Sequence, residues 1–392
     1  MRSISKNELR SSEHVSPSHP DKVCDLIAER LLCATKQQNP DAFFACDGSI
    51  KNNVLSLVGE VSDRLDKKEE NRIIYDTLEE LGYGVDYCEA FDLKAYGSRF
   101  GWYINKTFTE QSHDINIGVT SPAEGLAAGD IGIMFGYAVD EAPDLTYLPH
   151  WIARAVLRDL YEVWKDHRYT VKLRPDMKCL VTMGYCCGKP VSIKKVVVCV
   201  SHTGKTAEIV PVVLNLVKSK LDYIVYQLSL DDTVIPEISI NPTGEFSIYG
   251  PVGDSGVVGR KIVCDQYGGA APVGGGNLNG KDASKVDRSG VYMARYMAKR
   301  IVHEGLAREA IVQLAYEIGK PKAVSVNVRT DGTPFWKNRT LRNFVKQFDT
   351  SVPSIIERFN LNNLPEYVHD EIAAWGHIGE RAEAILPWEV VR

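Results

Sequence analysis

The chain has no apolar run near the ~18 residues that a membrane-spanning helix needs; Val196 to Val200 is a short, strand-like block. No apolar stretch follows the opening residues, MRSISKNELRSSEHVS, so a secretory leader is not expected. Charge of one sign is lacking as well: 46 Lys+Arg face 51 Asp+Glu, a formal net charge of −5. That balance speaks against a general nucleic-acid binder and leaves local basic clusters free to hold a small polyanion. The nine cysteines run from Cys24 to Cys264 without a CxxC pair, and adjacent Cys186 and Cys187 cannot easily close an unstrained bridge. Disulfides are therefore not expected, and a reducing cytoplasm is. What is present is 392 residues, 44% hydrophobic and 25% charged, ordinary for a globular protein and too long for one core. Two or three domains follow.

One pattern, helix–hairpin–helix, recurs three times. In the first unit Pro20-Asp21 opens a helix with Val23, Leu26, Ile27 and Leu31 at helical spacing. Strands near Phe43 to Asp47 and Val54 to Val61 follow, then a helix through Ile74, Leu78 and Leu81 that stops at Gly82. The second unit has a helix with Ile152, Val156, Leu160 and Val163. Strands at Cys179 to Tyr185 and Val191 to Ser201 come next, then an apolar helix from Ile209 to Leu221 in which Pro211 must sit early or kink the chain. The third has a helix from Ser289 to His303, strands at Ile311 to Ile318 and Ala323 to Val328, and a helix around Leu341, Phe344 and Val345. The expected fold class is α+β, three similar modules with pseudo-threefold repetition, cut approximately at 1–120, 121–240 and 241–392 and free to interleave. Gly-rich connections are expected at Gly125 to Gly136, Asn241 to Gly259 and Gly268 to Gly280, where long loops more often carry function than slack.

The densest chemical signal is GGGNLNGKDASKVDR, Gly274 to Arg288. Its glycines let backbone N–H groups approach a phosphate, and Lys281, Lys285 and Arg288 add charge. It is not a P-loop, because Asp282 stands where a Ser or Thr would hold magnesium; the alternative is a solvated loop. GPVGDSGVVGRK, Gly250 to Lys261, offers Arg260-Lys261 and a turn aspartate, Asp254, though alone it reads as a turn-rich hairpin. SHPDK, Ser18 to Lys22, starts a helix, where an anion is favoured and His19 can donate to it; Asp21 can equally be a capping carboxylate. AAGDIGIMFGYA sets Asp130 at the edge of an apolar wall, or in a solvated turn.

Together these pieces resemble one family, the S-adenosylmethionine synthetases. The matching motifs, in order, are SEHVSPSHPDK, VGEV, QSHDIN, AGDIGIMFGYA, LRPDMK, NPTGEFSIYGPVGDSGVVGRK, GGGNLNGKDASKVDRS and WGHIGE, from Ser12 to Glu380. The resemblance implies three similar α+β domains and homodimers, often paired into homotetramers, with active sites at the dimer interface. It implies a methionine adenosyltransferase acting on ATP and L-methionine, with hydrolysis of the released tripolyphosphate. Nucleic acid and membrane are not expected partners.

Carried over position by position, the family's phosphate and ATP contacts fall on His19, Asp176, Lys178, Arg260, Lys261 and Lys281. Its magnesium carboxylates, for two Mg²⁺ per site, fall on Asp21 and Asp287. Phe246 stands where adenine is held, Glu60 and Gln111 where methionine is, Lys285 near that substrate and Asp254 where both substrates meet. Asp130 falls near the reacting sulfur, with Ile318 in the same pocket, and Gln111 to Thr120 corresponds to a mobile cover. Departures from the pattern are Asp47, for a glutamate that binds K⁺, and Pro17-Ser18 for Glu-Gly. Ala127 and Ile131 replace Gly and Gln, Glu245 replaces a basic residue, and Asn277-Leu278-Asn279 replaces Ala-Phe-Ser. None removes a charged catalytic group. A non-catalytic homologue should have lost such a group, and a small-molecule kinase would leave Glu60, Gln111 and Asp130 without work.

Overall fold

His19 caps helix α1 (Pro20–Gln38) in extended conformation, with Pro20 in the first turn and Asp21 at the positive end of the helix dipole. The helix is buried on nearly every side, Asp21, Lys22, Asp25 and Glu29 included. A surface helix would bury one stripe; α1 therefore threads between layers. The computed structural model describes residues 7–93, 101–110, 126–167, 172–331 and 338–391.

The helix–hairpin–helix pattern is found in all three units. The first has α1, the hairpin β2 (Phe44–Lys51) and β3 (Val54–Val61), and α2 (Lys67–Glu80). The second has α3 (Leu148–His167), β6 (Leu173–Cys186), β7 (Lys189–His202) and α4 (Thr206–Leu228). The third has α5 (Val286–His303), β10 (Glu309–Tyr316), β11 (Ser325–Asp331) and α6 (Asn338–Val345).

Each hairpin then gains an antiparallel strand from a distant part of the chain. β1 (Asn7–Val15) lies along β6, β5 (Gly132–Val139) along β10, and the short β9 (Gly256–Val257) along β2. Parallel strands complete two of the sheets: β4 (Tyr103–Thr109) beside β3, and β8 (Glu237–Ile240) beside β7. The resulting orders are β4-β3-β2-β9, β1-β6-β7-β8 and β11-β10-β5. Helices α1, α3 and α5 pack on β2, β6 and β5 respectively. Burial alternates along β2, so Phe44, Cys46, Gly48 and Ile50 face the core while Asp47, Ser49 and Lys51 stay exposed.

Three local features differ from expectation. Gly125 to Gly136 is not simply a connection, because β5 begins at Gly132. Gly136 belongs to close packing: a Cβ there would overlap the Ala294 carbonyl of α5. Ile318 lies beyond the end of β10, 42% exposed, rather than at a strand terminus. Helix α4 starts earlier than the apolar run, at Thr206, so Pro211 sits inside it. Among the described residues no helix is long and apolar enough to cross a membrane.

Candidate active site

Three carboxylates on α1, spaced i, i+4 and i+8, form a row along one face. Each accepts a backbone N–H from a Gly-rich segment of the C-terminal third. Asp21 takes Val257 N at 2.9 Å, Asp25 takes Gly259 N at 2.9 Å, and Glu29 takes Gly280 N at 2.8 Å. Lys22, also buried, bonds Asp25 at 2.9 Å and Asp265 at 2.5 Å. Burying so many charges is costly unless each is paired, and here each is. Burial opposes the charge on Lys22, but Asp25 and Asp265 hold its ammonium above the ordinary lysine range. The row ties both Gly-rich motifs to one helix and sets out two groups of candidate side chains.

The first group surrounds the start of α1. Asp21 bonds Arg260 Nε at 2.9 Å and the Lys261 ammonium, so both cations are drawn onto one buried carboxylate. His19 Nδ1 accepts from Asp21 N at 3.2 Å, which leaves the ring proton on Nε2. Burial, and then Lys261, lower the His19 pKa to about 4, so the ring is neutral at physiological pH. Asp176, on β6, accepts Gly250 N at 2.9 Å. Burial pushes its pKa up to about 7; the Gly250 bond works against this, while Asp254 and Asp21 add repulsion. Lys178 lies two residues further along β6, pairs with Glu13 at 2.8 Å and acts electrostatically on His19. Phe246 is partly buried, and its N–H donates to His202 Nε2 at 3.2 Å.

The second group lies at the other end of the row, where Gly280 to Asp282 runs along the edge of β2. Cys46 N donates to Gly280 O at 2.9 Å, Ala45 and Lys281 form an antiparallel bridge, and Asp282 N donates to Phe44 O at 3.0 Å. Below them Glu29 holds Gly280 N while Arg288 donates to Lys281 O at 3.0 Å. Glu29 and Arg288 are themselves bonded twice, at 2.8 and 2.6 Å, and His369 adds a bond to Glu29 at 2.6 Å. Burial works against the Glu29 charge, yet Arg288 and His369 hold its carboxyl well below the usual range. The Lys281 backbone is thus clamped from two sides, and its ammonium reaches Asp287 at 2.8 Å. Asp287 fits against Gly276, where any Cβ would overlap its carboxylate. Glu60 pairs with Ala45 across β2 and β3, beside the Ala45–Lys281 bridge.

The remaining candidates fall as follows. Lys285 pairs with buried Asp282 and lies over the Phe43 ring at 5.3 Å. Asp130 is exposed, accepts Ile131 N at 2.7 Å and precedes two exposed apolar residues, Ile131 and Ile133. Asp254 is exposed and accepts Ser255 N at 2.7 Å. Asp47 is exposed on β2, opposite Val58. Gln111, with the loop to Thr120, lies outside the described residues. Among the described residues no hydrogen bond or ion pair joins a member of the first group to a member of the second. Asp21 and Glu29 are eight helical residues apart, about 12 Å along the axis.

As ligands for magnesium, Asp21 and Asp287 offer the hard oxygens that the ion prefers. Among the described residues no three His, Cys, Asp or Glu side chains converge on one point. Magnesium commonly takes one or two carboxylates with substrate phosphates and waters, so this donor set fits an ion that arrives with a nucleotide.

Glu29, Asp25 and Asp265 lie outside what the motifs signal, and Arg288, expected to add charge toward a phosphate, is instead buried against Glu29 as a structural support. Two departures from the family pattern find local partners. Glu245 accepts Thr206 N at 3.2 Å at the start of α4, satisfying an orphan donor at a positive helix end. Asn279 donates to Asp265 at 3.1 Å and accepts from His377 Nε2 at 2.8 Å, while Asn277 bonds the Asn279 backbone.

Comparison with known proteins adds three family-model matches in chain order. They are the S-adenosylmethionine synthetase N-terminal domain at residues 7–105, the central domain at 125–246 and the C-terminal domain at 248–390. S-adenosylmethionine synthase of Prochlorococcus marinus subsp. pastoris is 36% identical over 401 residues, covering 97% of this chain and 95% of its own. That of Nostoc punctiforme is 36% identical, with 98% and 94% covered. A solved S-adenosylmethionine synthetase from Campylobacter jejuni superposes with a TM-score of 0.84 at 30% identity, covering 97% of this chain and 96% of that one. Motifs, three-unit fold and relatives agree: the chain belongs to the S-adenosylmethionine synthetase family.

Proposed function

We propose that this S-adenosylmethionine synthetase joins ATP and L-methionine at a site shared between two subunits, and then hydrolyses the released tripolyphosphate to phosphate and diphosphate. In the first step the methionine sulfur forms a bond to C5′ of ATP, the C5′–O bond breaks, and its electrons leave with the tripolyphosphate. A thioether is already nucleophilic, so no general base is needed. The demand is in-line placement and neutralisation of a highly charged leaving group. One observation carries the reading: each proposed magnesium carboxylate is bonded to a proposed phosphate cation, Asp21 to Arg260 and Lys261, and Asp287 to Lys281. With magnesium and a triphosphate bound, Asp21 and Asp287 would turn to the metal and Arg260, Lys261 and Lys281 to phosphate, so that no buried charge would be left alone.

His19 is the neutral donor to phosphate through Nε2–H, joined by Lys178, Arg260, Lys261 and Lys281. Asp176 and Phe246 hold the nucleoside side, and Asp254 lies between the two substrates. Glu60, Gln111, Lys285 and Ile318 hold methionine, and the Asp130 carboxylate stabilises the developing sulfonium. Mg²⁺ at Asp21 and Asp287 supplies further neutralisation of the leaving group; Asp47 is the proposed K⁺ position.

The separation of the two groups along α1 supports a site completed by a second copy, in a homodimer or a pair of homodimers. So do the exposed apolar side chains Val54, Val58 and Tyr103 on the open face of the first sheet. Nine unbridged cysteines accord with a reducing cytoplasm. Incubation with ATP, methionine and Mg²⁺, followed by mass analysis, tests the reading. S-adenosylmethionine with phosphate and diphosphate is expected; ADP, or no sulfonium product, rejects it.

A further inference from the structure

Cys186 and Cys187 take no part in the chemistry above. Of the nine cysteines they are the two that are exposed; the rest are buried or, for Cys199, half-buried. They sit at the tip of the β6–β7 hairpin, where Cys186 pairs with Lys189 and the connection is the two residues Cys187-Gly188. Both connecting residues have positive φ, 54° at Cys187 and 76° at Gly188, the signature of a type I′ turn. That turn favours Asn, Asp or Gly at its first central position, and a side chain such as cysteine is strained there.

The strained conformation has a geometric result. Neighbouring side chains on a continuous strand point to opposite faces. At this turn they converge instead, and the two sulfurs lie 3.8 Å apart. The tip is held in place: Cys186 pairs with Asn7 of β1 on its other side, and Arg308 donates to Gly188 O at 2.7 Å.

A disulfide does not suit this pair. Adjacent Cα atoms across a trans peptide are about 3.8 Å apart, below the ~4.4–6.8 Å that disulfides span, and bond formation needs an oxidant. A chelate does suit it. Two sulfurs bound to one centre at about 2.3 Å, the length of a zinc–thiolate bond, lie about 3.3–3.8 Å apart for bond angles between a right angle and the tetrahedral angle.

The geometry points to Cys186 and Cys187 as a two-thiol chelation site for a soft, thiophilic centre, a trivalent arsenical. With a monosubstituted arsenic(III) oxide, two As–S bonds form, the arsenic–oxygen bond breaks, and both thiol protons leave with that oxygen as one water. Arsenic stays trivalent, so no oxidant or reductant is required.

The test uses the whole folded protein and phenylarsine oxide. Intact-mass measurement is expected to show one adduct per chain, heavier by the reagent less one water. That adduct should survive a large excess of monothiol, be removed by a dithiol, and map to the peptide holding both cysteines. Cys186→Ser and Cys187→Ser, each at an exposed position, should both abolish the monothiol-resistant adduct. No adduct on the native protein, or a resistant adduct that persists in either single variant, overturns the assignment.

Discussion

Glu29 is predicted to act on catalysis without touching substrate, by fixing the backbone that carries Lys281. The perturbation is Glu29→Gln, which keeps the shape and removes the charge. In the structure Glu29 accepts from Gly280 N at 2.8 Å and binds Arg288 twice, at 2.8 and 2.6 Å, while Arg288 donates to Lys281 O at 3.0 Å. Removing one partner of a buried ion pair costs about 3–5 kcal/mol, because the other charge is left uncompensated. Misplacing a catalytic group by ~1 Å can lower turnover about 10²-fold. Denaturant unfolding should therefore show a lower midpoint, and kcat at saturating ATP and methionine should fall well below what the folded fraction explains. The discriminating variant is the pair Glu29→Met with Arg288→Met. Apolar replacement of a buried pair often restores stability, but it cannot hold Gly280 N or Lys281 O. Stability should recover in part while kcat stays low. A double variant that regains both would show that the pair only supports the fold, and the positioning argument would fail.

Three further outcomes are expected. Gly276→Ala pushes a Cβ into the Asp287 carboxylate and should raise the Mg²⁺ concentration for half-maximal activity, whereas Gly275→Ala, with no atom within 4 Å, should not; equal behaviour would contradict the proposed role of Asp287. Asp176 has its pKa raised from 3.8 to about 7, so the folded state holds the proton more tightly. Its contribution to stability should be greatest at low pH and decline as pH rises through that window, by roughly 4 kcal/mol in all. Asp176→Asn should remove that slope from unfolding measured against pH, and an unchanged slope refutes it. Potassium should stimulate this enzyme little, because the Asp47 side chain is one methylene shorter than glutamate and β2 cannot slide inward: it is paired with β3 and bonded through Cys46 N and Gly48 O. Turnover at constant ionic strength, with potassium exchanged for a large organic cation, should change little; a strong loss would overturn this.

The repeat was legible because helical spacing and strand length are local properties: α1, α3 and α5 each begin within a few residues of their signals. The exchange of strands was not. β1 finds its partner β6 more than a hundred residues away, and NELRSSEHV carries too few apolar residues to announce a strand. Glycine disfavours strands, so Gly132 and Gly136 read as connection; only the close passage of α5 against Gly136 explains a glycine at that place in β5. The charged site motifs could be named from sequence because their residues stand together in short segments. Their supports could not, since Asp25 and Glu29 look like polar positions of an ordinary helix until Gly259 and Gly280 are brought against them.

In the proposed shared site for S-adenosylmethionine synthesis, His19 acts from one subunit and Lys281 from the other. Co-expression of a His19→Ala chain with a Lys281→Ala chain, differently tagged and purified as the verified hybrid, tests it directly. Each variant alone should be nearly inactive, and the hybrid should form S-adenosylmethionine, because one of its two sites keeps both groups. A pure hybrid that is as inactive as its parents would contradict the account.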